Sequence, residues 1–365
     1  MGAIDEKIKQ IDKLLEKRDE EYPARGSAWR QLDKELKQFF KLLLVRVDID
    51  WAPDHLRTEE IIPFIESPVF ICGPGRSGTT LLAQLLDGHP NLYVMPGDSN
   101  YMGRFYSKKW KFHSLALYWI KRLINPLGQK PFWLFGKDPK NYKKFILYLK
   151  HFVKQGMEPF MAVVSAMYAT AGKENQTRYW VEKTPGNEEY VDSIIEKFPN
   201  VKFIHIIRDP LENLLSLKKF SLLRKSRFNA TDGASRIKSL IDLGWKNRDQ
   251  LGQERYLIVH YENLINSLLE NLKIICNFLE INFSNSLCTP TVHSIPASSN
   301  SSHRERIKVG EVVKQNRMTH WAEYFTEDER KSIVPILYET ALKCGYSEWE
   351  EEKIKKYSGK EKYHT

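Results

Sequence analysis

Two hydrophobic periods divide the chain. Ile4, Ile8, Ile11 and Leu15 recur at steps of four and three between Lys and Glu residues, the pattern of an amphipathic helix. Pro23 and Gly26 interrupt it, and Leu32, Leu36, Phe39, Phe40 and Leu43 carry a second helical pattern from about Ala28 to Val45. Beyond Val69 short apolar runs at 69–72, 92–95, 179–182, 201–207 and 256–260 read as strands. Helical stretches separate them: one opening at Thr79, then 114–124, 141–154, 188–198, one from near Leu211, 234–251 and 263–279. A last helix starts at Thr326 with Glu329 three residues on, a capping box, and runs to Gly345. Strands that alternate with helices predict an α/β fold with an open parallel sheet flanked by helices on both faces. The N-terminal pair of helices forms an extension to it.

The chemistry concentrates after the first strand. Residues 69–72 lead into a turn with Gly and Pro (73–78), and Thr79-Thr80-Leu81-Leu82 opens a helix. A strand, a tight loop and a helix start present backbone N–H groups and a positive dipole end to an anion. Gly75 and Gly78 let the backbone approach it, Ser77 sits between them, and Arg76 adds a permanent charge with a fork of donors. The spacing Gly73-x-x-x-x-Gly78 matches the opening of a Walker A loop. Thr79, however, stands where nucleoside-triphosphate enzymes place their lysine, so a γ-phosphate lacks its usual partner. The loop suits a phosphate-like group other than one destined for ATP or GTP hydrolysis. Arg76, Asp98, Lys183, Arg208 and Tyr261 each follow closely on a predicted strand. Ligands of such sheets bind at the carboxyl ends of the strands, which puts these five on one rim.

Composition bounds the rest. With 365 residues, 42% of them hydrophobic, the chain can hold one large α/β domain with an appendage. The expected division is a helical extension over 1–60, the main domain over 61–347 with a basic helical insertion at about 104–175, and a charged tail over 348–365. No run approaches the ~20 apolar residues of a membrane span, and the first residues lack the apolar core of a signal peptide. Cys72, Cys276, Cys288 and Cys344 form no CxxC pair and read as reduced thiols, which points to the cytoplasm. The net charge of +10 is uneven: twelve Lys and Arg residues lie between Ser107 and Gln155, against Asp138 alone. Trp110, Phe112, Tyr118, Trp119, Phe132, Trp133 and Phe135 are interleaved with them. Such a stretch is either a helical cover with core aromatics and solvated lysines or a surface for nucleic acid, a membrane or an anionic acceptor.

A family resemblance joins these pieces. Gly75-Arg76-Ser77-Gly78-Thr79-Thr80-Leu81-Leu82, followed by Leu86-Asp87-Gly88-His89-Pro90-Asn91, resembles the 5′-phosphosulfate loop of sulfotransferases. Those enzymes use 3′-phosphoadenosine 5′-phosphosulfate (PAPS), and the form with Arg76 is similar to the tyrosylprotein, carbohydrate and many bacterial members. Ile206-Ile207-Arg208-Asp209-Pro210, with Ser216 on the following helix, resembles the family's 3′-phosphate motif. Lys183 in Val-Glu-Lys-Thr-Pro is similar to the lysine between the two motifs, and Tyr261 matches an aromatic at the nucleotide end. The resemblance runs from about Val69 to Tyr346 and implies a P-loop three-layer sandwich. The donor-binding set it implies is Gly75, Arg76, Ser77, Gly78, Thr79, Thr80, Arg208, Ser216 and Tyr261, with Arg304 and Lys314 from the basic run after a polar loop.

The implied reaction passes a sulfuryl group in line from PAPS to a hydroxyl or amine of a small-molecule, carbohydrate or lipid acceptor, without a metal. Arg76 and Lys183 would stabilise charge, and Asp98 or His113 would take the proton; His89 and His205 read as structural. Expected partners are PAPS, its product 3′-phosphoadenosine 5′-phosphate (PAP) and the acceptor, but no nucleic acid. Peripheral membrane contact through 108–154 and a homodimer stay open. Two other readings compete: a non-catalytic binder of polyanions or membrane surfaces, and an atypical P-loop nucleotide kinase.

Overall fold

The computed structural model describes residues 2–21, 27–48, 64–106, 108–125, 132–172, 177–297, 312 and 321–346. Two helices come first, α1 (Gly2–Glu21) and α2 (Ser27–Arg46). The first strand and its helix follow as β1 (Pro68–Cys72) and α3 (Thr79–Leu86), then β2 (Leu92–Val94). A π-helical turn (Tyr101–Phe105) leads into α4 (Phe112–Ile124), α5 (Pro139–Lys154) and α6 (Pro159–Ala171). The chain then returns to β3 (Tyr179–Lys183), α7 (Val191–Lys197) and β4 (Lys202–Ile207). Next come α8 (Pro210–Leu223), α9 (Ala230–Leu251), β5 (Tyr256–His260), α10 (Tyr261–Asn266) and α11 (Leu268–Leu279). A short hairpin of β6 (Thr291–Val292) and β7 (Ile295–Pro296) precedes α12 (Glu327–Lys343).

The five main strands form one parallel sheet in the order β2-β3-β1-β4-β5. The strand that carries the Gly-rich turn is therefore central, buried at every position. Its side chains alternate between two cores. Val69 and Ile71 pack with α3, α10 and α11, while Phe70 and Cys72 face the helical cover. This period-two division is what a sheet covered on both faces requires. A third cluster gathers Ile207, α8, α9 and α12 beside it. Helices on both faces of a central parallel sheet make the three-layer α/β architecture anticipated from the pattern.

Local signals account for most element ends. Asp209 accepts from the N–H groups of Leu211 and Glu212 with Pro210 at the first helical position, so α8 starts immediately after the strand-end Arg208. Thr326 and Glu329 close the expected capping box. Two expectations need correction. The helix read over 188–198 begins as a 3₁₀ turn (Asn187–Tyr190), and the one read over 263–279 is broken at Ser267 into α10 and α11.

The basic, aromatic stretch is a cover. Trp119, Phe135 and Trp133 are buried in the core that also holds Ile4, Ile8, Ile11 and Leu15 of α1. Several of its lysines fasten the N-terminal helices. Lys137 pairs with Asp12 at 2.6 Å, Lys121 with Asp33, and Lys143 donates to the carbonyls of Leu43 and Leu44. Part of the local positive charge is thus neutralised within the molecule. Among the described residues no helix is long and apolar enough to cross a membrane.

Candidate active site

The Gly-rich turn is backbone architecture under constraint. Gly73 has φ +131° and a Cβ there would meet the Ile206 carbonyl at 2.4 Å; Gly78 has φ +112° and a Cβ would meet the Tyr261 ring at 2.5 Å. Both positions need glycine for conformation and for space. Arg76 itself takes φ +75° without being glycine, a strained conformation that the surroundings must hold. They do so by hydrogen bonds. Glu188 accepts from the Gly73 N–H at 3.0 Å, Asn187 donates to Ile71 O at 3.2 Å, and Asn213 of α8 donates to Gly75 O at 2.7 Å.

Helix α3 starts at Thr79, so the N–H groups of its first turn have no intrahelical acceptor and point into the turn. The Ser77 hydroxyl is fully buried there without a partner among the described residues. An orphaned hydroxyl, a helix start and two glycines too crowded for a side chain form a cradle for an anionic group that approaches the backbone closely. The Arg76 guanidinium lies 4.5 Å from the Phe220 ring centroid, so α8 braces the loop's cation.

Lys183 closes the cradle from β3. It is almost fully buried, stands 3.3 Å from Thr80 Oγ1 and pairs with Asp98, whose own side chain is 41% exposed. The backbone carbonyl of Asp98 accepts from Arg122 of the cover, which the Tyr118 hydroxyl, 2.8 Å away, also engages. Behind Lys183 sits Glu182, fully buried, accepting from Ser99, Thr184 and Asn187. One carboxylate therefore ties together the loops after β2 and β3. Burial pushes its carboxyl up, against the three hydrogen bonds that favour the charged form. Glu188 is shifted further, to about 7, again by burial, with the Gly73 N–H opposing.

The second half of the rim lies on β4 and β5. Arg208 is buried at the end of β4, stands 4.9 Å over the Tyr261 ring and pairs with Glu212 at 3.2 Å. Ser216 follows two turns into α8 and is half-buried. Tyr261 thus touches both halves, with one face on the loop at Gly78 and the Arg208 guanidinium over its ring.

The structure brings Arg76, Thr80, Asp98 and Lys183 to one end of the sheet, with Arg208 and Tyr261 beside them. His113, the other candidate proton acceptor, instead sets its ring edge-on to Phe40 at 4.8 Å on the cover. His89 bonds to Asn282 O and the Asn91 N–H, and His205 is buried against the Tyr256 hydroxyl with its pKa lowered by burial to about 3. Both are structural, as expected. Arg304 and Lys314 lie outside the described residues. Glu182, Glu188, Asn187 and Asn213 escaped the sequence reading. A carboxylate next to Lys183 at the end of the third strand, after the apolar Tyr179-Trp180-Val181, was the available signal for Glu182.

The chain matches the family model described as "Sulfotransferase family" over residues 68–285. An uncharacterized protein of Aquifex aeolicus (strain VF5) is 25% identical over 291 residues, covering 72% of this chain and 34% of that protein. The chain spans about a third of the length of that curated relative. Among solved structures, the sulfotransferase domain of the Synechococcus PCC 7002 olefin synthase is 21% identical (67% of this chain, 83% of that one, TM-score 0.42). Mouse sulfotransferase SULT7A1 complexed with PAP is 14% identical (80% of this chain, 89% of that one, TM-score 0.43).

Proposed function

We propose that this chain, which belongs to the sulfotransferase family, transfers a sulfuryl group from PAPS to a hydroxyl or amine of a small-molecule, carbohydrate or lipid acceptor. The observation that carries the reading is the crowded loop at 73–80. Its unpartnered Ser77 hydroxyl, helix start and adjacent Lys183 fit the phosphosulfate end of such a donor. Gly75, Arg76, Ser77, Gly78, Thr79 and Thr80 hold that end. Arg208 and Ser216 hold the 3′-phosphate, and Tyr261 lies between the two groups. Arg304 and Lys314 complete the donor set.

In the transfer, the acceptor oxygen bonds to sulfur as the sulfur–oxygen bond to the 5′-phosphate breaks. Lys183 and Arg76 stabilise the electron pair left on that phosphate oxygen, and Asp98 takes the acceptor's proton. Lys183 is placed for this: Asp98 and Thr80 fix its ammonium at the start of α3. Arg208 exchanges part of its bond to Glu212 for the phosphate. No metal ligand enters these steps.

Retention on immobilised PAP tests the reading against a charge-only binder. Elution by free PAP, with resistance to high salt, is the expected result. Release by salt alone identifies a screened surface interaction and discards the enzyme.

A further inference from the structure

Between Glu212 and Asp232 the chain carries five cations and no carboxylate. Two of the five serve the fold: Lys218 pairs with Glu329 at 2.9 Å, and Lys219 lies 4.1 Å from the Tyr324 ring centroid. The other three, Arg224, Lys225 and Arg227, are exposed and have no carboxylate partner among the described residues. The Arg224 guanidinium lies over the Phe220 ring of its own helix, at 5.3 Å.

Directly before these cations stand Leu222 and Leu223, 62% and 56% exposed. Among the described residues no other two adjacent large apolar side chains are both exposed. Their exposed surface is held in a fixed presentation. Helix α8 closes here in a left-handed turn: Lys225 has φ 53°, its N–H donates to Leu222 O at 2.9 Å, and the Ser226 N–H donates to Ser221 O at 3.0 Å. That pair of bonds is a Schellman closure, in which glycine is the residue usually found at the left-handed position. Lysine is strained there where glycine is not, and it adds a cation to the tip. Residues 222–227 are exposed in succession, so the helix end projects into solvent instead of lining a groove.

A projecting end with two leucines and three cations is complementary to an anionic lipid surface. The leucines enter the boundary between headgroups and acyl chains, while the cations stay with the headgroup anions. Single-stranded nucleic acid is held by open aromatic rings as well as charge. Here the two aromatics of the segment, Phe220 and Phe228, lie under Arg76 and Lys218. The basic cover also lacks the combination: none of its described large apolar side chains over 108–154 is exposed.

We propose that the end of α8, from Leu222 to Arg227, docks this protein on membranes that carry anionic lipid. Ser216 lies six residues before Leu222 on the same helix, about 9 Å along its axis, so a docked molecule holds its rim close to the lipid. Docking is independent of which donor the rim takes.

Co-sedimentation of the full chain with vesicles of equimolar phosphatidylserine and phosphatidylcholine tests this, with pure phosphatidylcholine vesicles as the uncharged reference. The parent partitions onto the anionic vesicles about ten-fold or more strongly than onto the neutral ones, and added salt weakens that partition. Replacing both leucines, Leu222→Ser and Leu223→Ser, lowers it about ten-fold. Arg224→Gln, Lys225→Gln and Arg227→Gln together lower it about 100-fold. All five positions are exposed, so both substituted proteins melt with the parent. Lys108→Gln, Lys109→Gln and Lys111→Gln on the cover change the partition by less than about three-fold. Absence of vesicle binding overturns the proposal, as does binding that survives the tip substitutions and is lost with those on the cover. Parental partition of the leucine variant identifies a charge-only surface and overturns it as well. So does retention on single-stranded DNA, lost in the Gln variant, by a protein that ignores vesicles.

Discussion

The two regions of the rim proposed to hold the donor's anionic groups are built from different materials. The loop at 73–80 is made of backbone: glycines that tolerate no Cβ, a left-handed Arg76, and a helix start. The region at β4 and α8 is made of side chains, with Arg208 placed by Glu212 and Tyr261. A backbone cradle depends on the groups that pin the main chain. A side-chain cradle depends on one charge and its immediate neighbours. Substitutions should therefore act on the first through geometry and on the second through affinity.

The largest effect is expected at Lys183, which in the proposed transfer serves the loop region at the point where charge develops. Lys183→Ala should lower kcat by roughly 10²–10³-fold, the scale of losing one well-placed donor, while PAP affinity changes little. Equal losses in kcat and in PAP binding would make Lys183 a donor-binding group and blur the contrast with Arg208.

Glu188 tests whether the loop is held from beneath. Burial raises its carboxyl from the ordinary 4.5 to about 7, so the fold favours the uncharged acid. Its contribution to stability is complete below about pH 4.5 and is lost as the pH climbs through about 7. Glu188→Gln stays neutral at every pH. Denaturant unfolding of the two proteins should show the Gln form gaining on the parent between about pH 5 and pH 8, by up to about 3 kcal/mol. A pH-independent difference would remove Glu188 from this role.

The smallest effect belongs to the second region. Ser216→Ala deletes one neutral hydroxyl, worth about 1 kcal/mol, so calorimetry should find PAP bound roughly five-fold more weakly at unchanged kcat. An unaltered Kd would leave Arg208 to carry that phosphate without it.

The two regions also differed in how far the sequence revealed them. Gly73, Gly78 and Arg208 were legible because a turn chemistry and a strand-end charge are local. The strands at 69–72 and 256–260 appear as read, the first because a central parallel strand is buried and apolar at every position, the second through its run Tyr256–Val259. The hydrogen bonds from Gly73 to Glu188 and from Asn213 to Gly75 span more than a hundred residues, and no local pattern encodes them. Strand order is equally non-local: β1 lies between β3 and β4, a fact of crossovers rather than of any strand's own residues. Helix α6 was missed beyond a general helical insertion because it is apolar nearly all round and shows little periodicity. The β6–β7 hairpin, two residues to a strand, carries no usable alternation. Its place in the fold comes from Asp87.

Calorimetric titration with PAP and with AMP, on the parent protein and on Arg208→Ala, addresses the central claim. The parent should bind PAP much more tightly than AMP, because only PAP carries the 3′-phosphate. Arg208→Ala should weaken PAP by roughly 30-fold, the loss of a charged hydrogen-bond partner of about 2 kcal/mol, and leave AMP nearly unchanged. Equal affinity for PAP and AMP in the parent, or a PAP affinity indifferent to Arg208→Ala, would contradict the assignment of a PAPS site to this rim.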